Sequence, residues 1–323
     1  MTTKQPHKTS AKKSDAWDMS LSEYAYRVIA EQYRRVAKRE KKVMADRDPE
    51  DLHQMRVSCR RLRTALQVFH AVVAVPKAAG EKRVRNSART LSKLRDLDVQ
   101  LAALQQDYLP KVNASEQTIL KTVCESLQQQ RRHALSKARK ALKGKRYRKL
   151  KAAYDQWLEQ PQFEAVGQLS LRSHLPELLA PLLSHLLLHP GWLVPRKEAL
   201  GEQISLLHDL RKVCKHVRYQ AEFFKPFYSD AFSRWIKEVK SLQDKLGKLN
   251  DIQVLQELLT EELPAETELP ELQAILAKER RAALSRWDKL RKQYLDAEFR
   301  YRLHCLILEP LRPSDPVAAK DRN

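Results

Sequence analysis

The sequence predicts an all-α protein made of two similar helical halves, and three observations carry that expectation. Apolar residues recur at steps of three and four along most of the 323 residues, the period of an amphipathic helix. Alternating β-branched or aromatic runs closed by turn dipeptides, the mark of strands, are absent. Finally, the stretch Asp51–Phe69, DLHQMRVSCRRLRTALQVF, returns as Leu207–Phe224, LHDLRKVCKHVRYQAEFF. His53 answers to His208, Arg56 to Arg211, Arg60 to Lys215, Arg63 to Arg218 and Phe69 to Phe224, every pair 155 positions apart (208 − 53, 224 − 69) with no gap. A repeat this long is a duplicated domain half; solenoid units repeat every ~20–50 residues.

Taken in order, residues 1–16 form a polar, basic stretch expected to be a disordered tail. Trp17 to about Ala45 reads as a helix through Leu21, Tyr24, Val28, Tyr33 and Val36. Pro49 suits the first turn of the next helix, expected to run to about Val75 before Pro76 and Gly80 turn the chain. A third helix is expected over Glu81–Tyr108, ended by Pro110, and a fourth over Ser115–Leu158 with an interruption at Gly144. The fourth is strongly basic, from Arg131 to Lys151. A linker near Pro161–Gly167 divides the first half, 17–160, from the second, 168–310. There follow an apolar helix over Leu169–His189 crossed by Pro176 and Pro181, the second copy of the repeat over Lys197–Lys225, and a helix over Tyr228–Glu262. Beyond Pro264 and Pro270, a last helix is expected over Glu271–Leu308, then a loose tail at 311–323. Each half thus holds about four helices.

Helix geometry says what the repeated stretch presents. His53, Arg56, Arg60 and Arg63 stand at i, i+3, i+7 and i+10, within roughly 80° of one another. Leu52, Met55, Cys59, Leu62, Leu66 and Phe69 form an apolar stripe offset by about 110°. One flank is core and the next is a ladder of cations. A charged flank is ordinarily a solvated face, but a purely solvent-facing ladder has no reason to keep its type and register in both halves. The following helix adds Lys82, Arg85, Arg89 and Lys93, answered at the same offset by Lys237, Lys240, Asp244 and Lys248.

The charge balance, 61 Lys and Arg against 40 Asp and Glu for a net +21, points to a polyanionic partner. Six scattered glycines exclude the glycine-rich dinucleotide and nucleotide-phosphate loops. Four cysteines, at positions 59, 124, 214 and 305, have neither zinc-finger nor disulfide-scaffold spacing, and Cys59 and Cys214 read as core thiols. With no signal segment and no apolar run of ~20 residues, a cytoplasmic chain is expected.

HQMRVSCRRLR followed by KLRDLDVQL, and HDLRKVCKHVRYQAEFF followed by KLNDIQVLQEL, resemble the CHAD family, the conserved-histidine α-helical domain, in both copies. The resemblance extends over about Trp17–Pro310. It implies two four-helix bundles related by a pseudo-two-fold axis, with basic helices lining a central cleft or pore. It further implies binding of inorganic polyphosphate, often at polyphosphate granules. From the residues themselves no catalysis, cofactor or metal is expected, since no nucleophile–base pairing is legible and the cationic neighbours of His53 and His208 oppose a divalent ion. Metal ligation by these histidines is a minority alternative. Carried over by position, the binding residues are His53, Arg56, Arg60, Arg63, Lys82, Arg85 and Lys93, mirrored by His208, Arg211, Lys215, Arg218, Lys237, Lys240 and Lys248. Asn250 stands where the first copy has Arg95, so no charge contact is expected there.

The chemistry of the residues agrees. A linear phosphate chain offers closely spaced charge and no base edges, so it calls for fixed arginine forks and adjustable lysine charges. Asp96 and Asp251 read as carboxylates that orient nearby cations. Two alternatives remain: a nucleic-acid binder using the same surface, for which Trp17, Trp157, Trp192, Trp235 and Trp287 would supply stacking, and a metal-dependent phosphohydrolase, which would need carboxylates that the ladders lack.

Overall fold

The computed structural model describes residues 18–195, 198 and 203–311. The described residues form helices joined by short connections, with two isolated backbone bridges and no strand. The expected tail at 1–16, the expected tail at 311–323 beyond Leu311, and the expected start of the second repeat at Lys197 lie outside the described residues.

Helix α1 (Leu21–Ala45) begins at a capping box in which Ser20 and Glu23 satisfy each other's backbone N–H. Asp48 caps α2 (Pro49–Val68) and Pro49 occupies its first turn. α2 ends seven residues earlier than expected. Past Phe69 the chain extends, and Val73 pairs with Phe163 while Ala74 N donates to Gln162 O and Glu164 N to Val72 O. The linker thus takes the backbone groups that a longer helix would have used.

The single helix expected over 81–108 is three pieces: α3 (Glu81–Thr90), α4 (Ser92–Ala102) and a π turn at Ala103–Tyr108. At the first break, Ser87 and Thr90 hydroxyls bond back to Arg83 O and Ser87 O, a competition that loosens helices. α5 (Ala114–Lys143) and α6 (Lys145–Glu159) are separated at Gly144. A Cβ there would stand 3.1 Å from Ala141 O, so glycine is what lets the backbone turn so tightly.

In the second half, α7 (Leu175–Leu187) carries Pro176 in its first turn and Pro181 inside. α8 (Ile204–Phe224) and α9 (Asp230–Glu262) follow. The expected last helix is two, α10 (Pro270–Leu295) and α11 (Ala297–Leu308), because the Asp296 carboxylate caps α11 through Phe299 N, 2.8 Å away.

The core repeats with the sequence. Leu52, Met55, Ser58, Cys59, Leu62, Thr64, Ala65, Leu66 and Phe69 are buried on α2, and all nine partners 155 positions on are buried on α8. The two helices meet through the last of these pairs, with Phe69 and Phe224 ring centroids 6.0 Å apart and Tyr24 edge-on to Phe69 at 6.2 Å. A second junction lies at the N-termini of α5 and α10. Glu116 accepts from Glu271 N and Leu272 N, and Glu271 accepts from Asn113 N. The halves are thereby locked together both by ring packing and by exchanged helix caps.

Candidate functional site

Beside the Phe69–Phe224 junction, four helices border a cavity of about 640 Å³. α1 contributes Arg35, Lys38 and Arg39; α2 contributes His53, Arg60 and Arg61; α8 contributes Lys215, Arg218 and Tyr219; α9 contributes Lys240, Gln243 and Asp244. Eight of these side chains are Arg or Lys and one is a carboxylate.

Tyr219 organises the arginines. The Arg218 guanidinium lies over its ring at 4.4 Å from the centroid, with Arg61 at 5.7 Å and Arg60 at 5.9 Å. Arg60 also donates to its hydroxyl at 3.3 Å. Such contacts are each worth about 0.5–2 kcal/mol and hold like charges together without cancelling them. Glu222 accepts from Arg218 at 2.6 Å and pairs with Arg61, and Gln243 accepts from Arg218 Nε at 3.1 Å. Arg35 and Arg39 pair with Glu31 and Asp51. Lys38, Arg60, Lys215 and Lys240 make no salt bridge among the described residues.

Crowding shows in the titrating groups. Burial, and then Arg60, Arg211 and Arg218, push the Lys215 ammonium down to about 7, with Asp251 opposing. Burial followed by Arg95 lowers the His53 imidazole, and Arg60 and Arg56 add to this against Glu50. Burial followed by Lys212 and Arg211 lowers His208 against Asp209. Each of these bases resists taking up a proton.

The remaining sequence candidates lie elsewhere on the same helices. Arg56 turns toward α3 and α4, donating to Ala88 O at 3.1 Å and Ser92 Oγ at 2.5 Å. Arg63 is paired with Glu81 at 2.6 Å. Arg211, the counterpart of Arg56, lies across Gly247, where an added Cβ would be 3.5 Å from its Nε; that buried Nε has no hydrogen-bond partner among the described residues. Lys82, Arg85 and Lys93 are exposed on α3 and α4, and His208 is half-buried on α8. Lys237, Lys240 and Lys248 border a second groove of about 510 Å³ between α9 and α10, which shares Lys240 and Asp244 with the first cavity. Lys248 there pairs with Glu279 at 3.0 Å. The carboxylate of Asp96 favours charge on Arg56, and that of Asp251 favours charge on Lys215.

Arg35, Lys38, Arg39, Arg61 and Tyr219 were not among the sequence candidates. The α1 cations had a visible signal, since they follow one another at helical spacing in RRVAKRE, but only packing shows that α1 faces α2 and α8. Trp157, Trp192, Trp235 and Trp287 are core residues, and Trp17 lies outside the described residues. No group of three His, Cys, Asp or Glu suited to a metal ion occurs among the described residues.

A match to the CHAD domain family covers residues 27–260. The chain belongs to the CHAD family. The matched span takes in both ladder helices and nearly all of α9. Among solved structures, the CHAD domain from the plant Ricinus communis is 25% identical, with 95% of this chain and 98% of that chain covered at a TM-score of 0.58. PptA from Streptomyces chartreusis is 12% identical, with 88% and 99% covered at a TM-score of 0.60, a likeness of fold. No curated protein matches the chain significantly. No helix among the described residues is long and apolar enough to cross a membrane.

Proposed function

We propose that this CHAD-family chain binds inorganic polyphosphate in the cavity between α2 and α8, as a binding protein rather than a catalyst, in the cytoplasm at polyphosphate granules. The observation that carries the reading is the lining itself: eight cations against one carboxylate, four of the cations with no salt bridge among the described residues. So much like charge at close quarters costs stability, and a bound polyanion relieves that cost. Arginine forks fixed around Tyr219 suit phosphate oxygens, and Lys38, Lys215 and Lys240 add adjustable charge. The halves are related by a pseudo-two-fold axis passing between α2 and α8. Support comes from the burial pattern repeated at 155 positions and from Phe69 meeting its own counterpart.

Nucleic-acid binding is the weaker reading, because the four described tryptophans are spent on the core and do not stack on bases. Hydrolysis would require a set of metal-binding carboxylates, and the cavity lining contains a single one, Asp244. The test is isothermal titration of tripolyphosphate and long-chain polyphosphate into the wild type and Arg60→Glu. Binding lost on charge reversal supports the cavity; binding unchanged removes it.

A further inference from the structure

The most basic stretch of the chain takes no part in the cavity. Between residues 126 and 154 there is no Asp or Glu and there are eleven Arg and Lys. Three of these are committed to the fold: Arg131 to Asp46 and Asp98, Arg139 to Met44 O, and Lys151 to Glu40. The other eight, from Arg132 on α5 to Lys149 on α6, are exposed and have no salt bridge among the described residues. They flank the break at Gly144, so two helices present their charge at one elbow.

We infer that this elbow is an outer track for the same phosphate polymer, contacting the parts of a long chain that extend beyond the cavity. The inference rests on the polyphosphate reading and deepens it by assigning a preference for long chains. Three observations point this way. The end of α1 bridges the two regions: Lys38 lines the cavity, Lys41 and Lys42 are exposed, and Glu40 and Met44 hold α6 and α5. Cations therefore line the end of α1, the helix that touches both the cavity and the elbow. The elbow's apolar residues, Leu142, Tyr147 and Leu150, are buried, leaving no apolar face to enter a membrane. Nor does the elbow expose an aromatic ring for base stacking, so what it offers is attraction to phosphate alone.

The test uses the full chain carrying Lys137→Gln, Lys140→Gln, Lys145→Gln and Arg148→Gln, with a control losing equal charge at the exposed Lys77, Lys225, Lys278 and Lys289. Glutamine is a good helix former, and circular dichroism checks that helicity is kept. Long-chain polyphosphate should bind the elbow variant roughly tenfold more weakly at ~150 mM salt, with a log–log salt slope shallower by roughly 2–3, at about 0.7 per lost contact. Tripolyphosphate, short enough to stay in the cavity, should bind both proteins as it binds the wild type. Unchanged long-chain affinity, or an equal loss in the control, overturns the outer track. So does loss confined to phosphatidylserine vesicles or to duplex DNA, which would give the elbow to a membrane or to nucleic acid. Failure of the cavity reading looks different: Arg60→Glu would then leave tripolyphosphate binding intact whatever the elbow does.

Discussion

Helices α2 and α8 bury the same nine paired positions, from Leu52 to Phe69 and from Leu207 to Phe224, yet their cations meet different surroundings. On α2, Arg56 is satisfied by Ala88 O and Ser92, and Arg63 by Glu81. On α8, Arg211 crosses a glycine with no acceptor for its Nε among the described residues, and Arg218 reaches into the cavity, stacked on Tyr219. Four paired positions account for this: Ser92 against Gly247, Glu81 against Ile236, Thr64 against Tyr219, and Gln67 against Glu222. The buried stripe fixes the frame of both helices, and a few residues facing it decide which cations remain free for a ligand.

The comparison breaks most sharply at Arg60 and Lys215, the one ladder pair that faces the cavity from both sides. Arg60→Glu and Lys215→Glu should each weaken polyphosphate binding roughly a hundredfold, as loss of a charged hydrogen bond worth about 1.5–3 kcal/mol would do. Arg63→Gln, on a side chain already held by Glu81, should change it by less than about threefold. Isothermal titration of the three variants reads the contrast, and a large loss at Arg63 with none at Lys215 would reverse it.

Stability should separate the halves next. Glu222 is the carboxylate shared by Arg61 from α2 and Arg218 from α8, with 23% and 14% of the two arginine side chains exposed. Glu222→Gln should cost about 2–3 kcal/mol, below the full penalty of a buried pair because solvent reaches these groups. Denaturant unfolding checks this, and added polyphosphate should restore more stability to the variant than to the wild type.

A smaller effect comes from exchanging one paired position. Gly247→Ser should stabilise by about 0.5–1 kcal/mol, since serine is the better helix former and its hydroxyl can accept from Arg211 as Ser92 does from Arg56. Ser92→Gly should cost about 1 kcal/mol for the converse reasons. Equal thermal midpoints for both variants and the wild type would show that the two arginines are not comparable.

The smallest expected signal is a fraction of a proton. Lys215, pushed down to about 7, is largely neutral at pH 8 in the free protein, and a polyanion favours its charged form. Binding at pH 8 should therefore take up protons, and affinity should strengthen as pH falls toward 7. In unfolding the sign is the same: the unfolded lysine keeps its proton, so this group makes the fold more stable as pH rises above 7. Titration in two buffers of different ionisation enthalpy measures the uptake. Lys215→Arg should abolish it at pH 8, and a His53→Gln, His208→Gln double variant should remove only what remains near pH 6.

Much of the frame was legible from residue spacing. The buried stripes of α2 and α8, the proline at the start of α2 and the interruption at Gly144 all follow from periodicity and backbone chemistry. The break at Leu91 and the π turn at Ala103–Tyr108 were not legible, because hydroxyl back-bonding and a local widening of the helical turn leave the apolar period nearly intact. The ladder was legible as a set of positions but not as a site. His53 and Arg60 turn to α8 while Arg56 and Arg63 turn to α3, and that division depends on Ser92 and Glu81, which no helical period connects to α2. Tyr219 was hidden for another reason: it stands on the ladder flank rather than in the apolar stripe, and its counterpart Thr64 carries neither ring nor charge, so the repeat does not mark it.

The most direct measurement is displacement of labelled polyphosphate from the wild-type chain by unlabelled polyphosphate or by DNA of matched charge, at ~150 mM salt where exposed charges are screened. A cavity that holds a phosphate chain between fixed arginines, with no ring free for bases, predicts displacement by polyphosphate at far lower concentration than by DNA. Equal displacement by the two polymers would contradict it and make the basic surface a general polyanion binder.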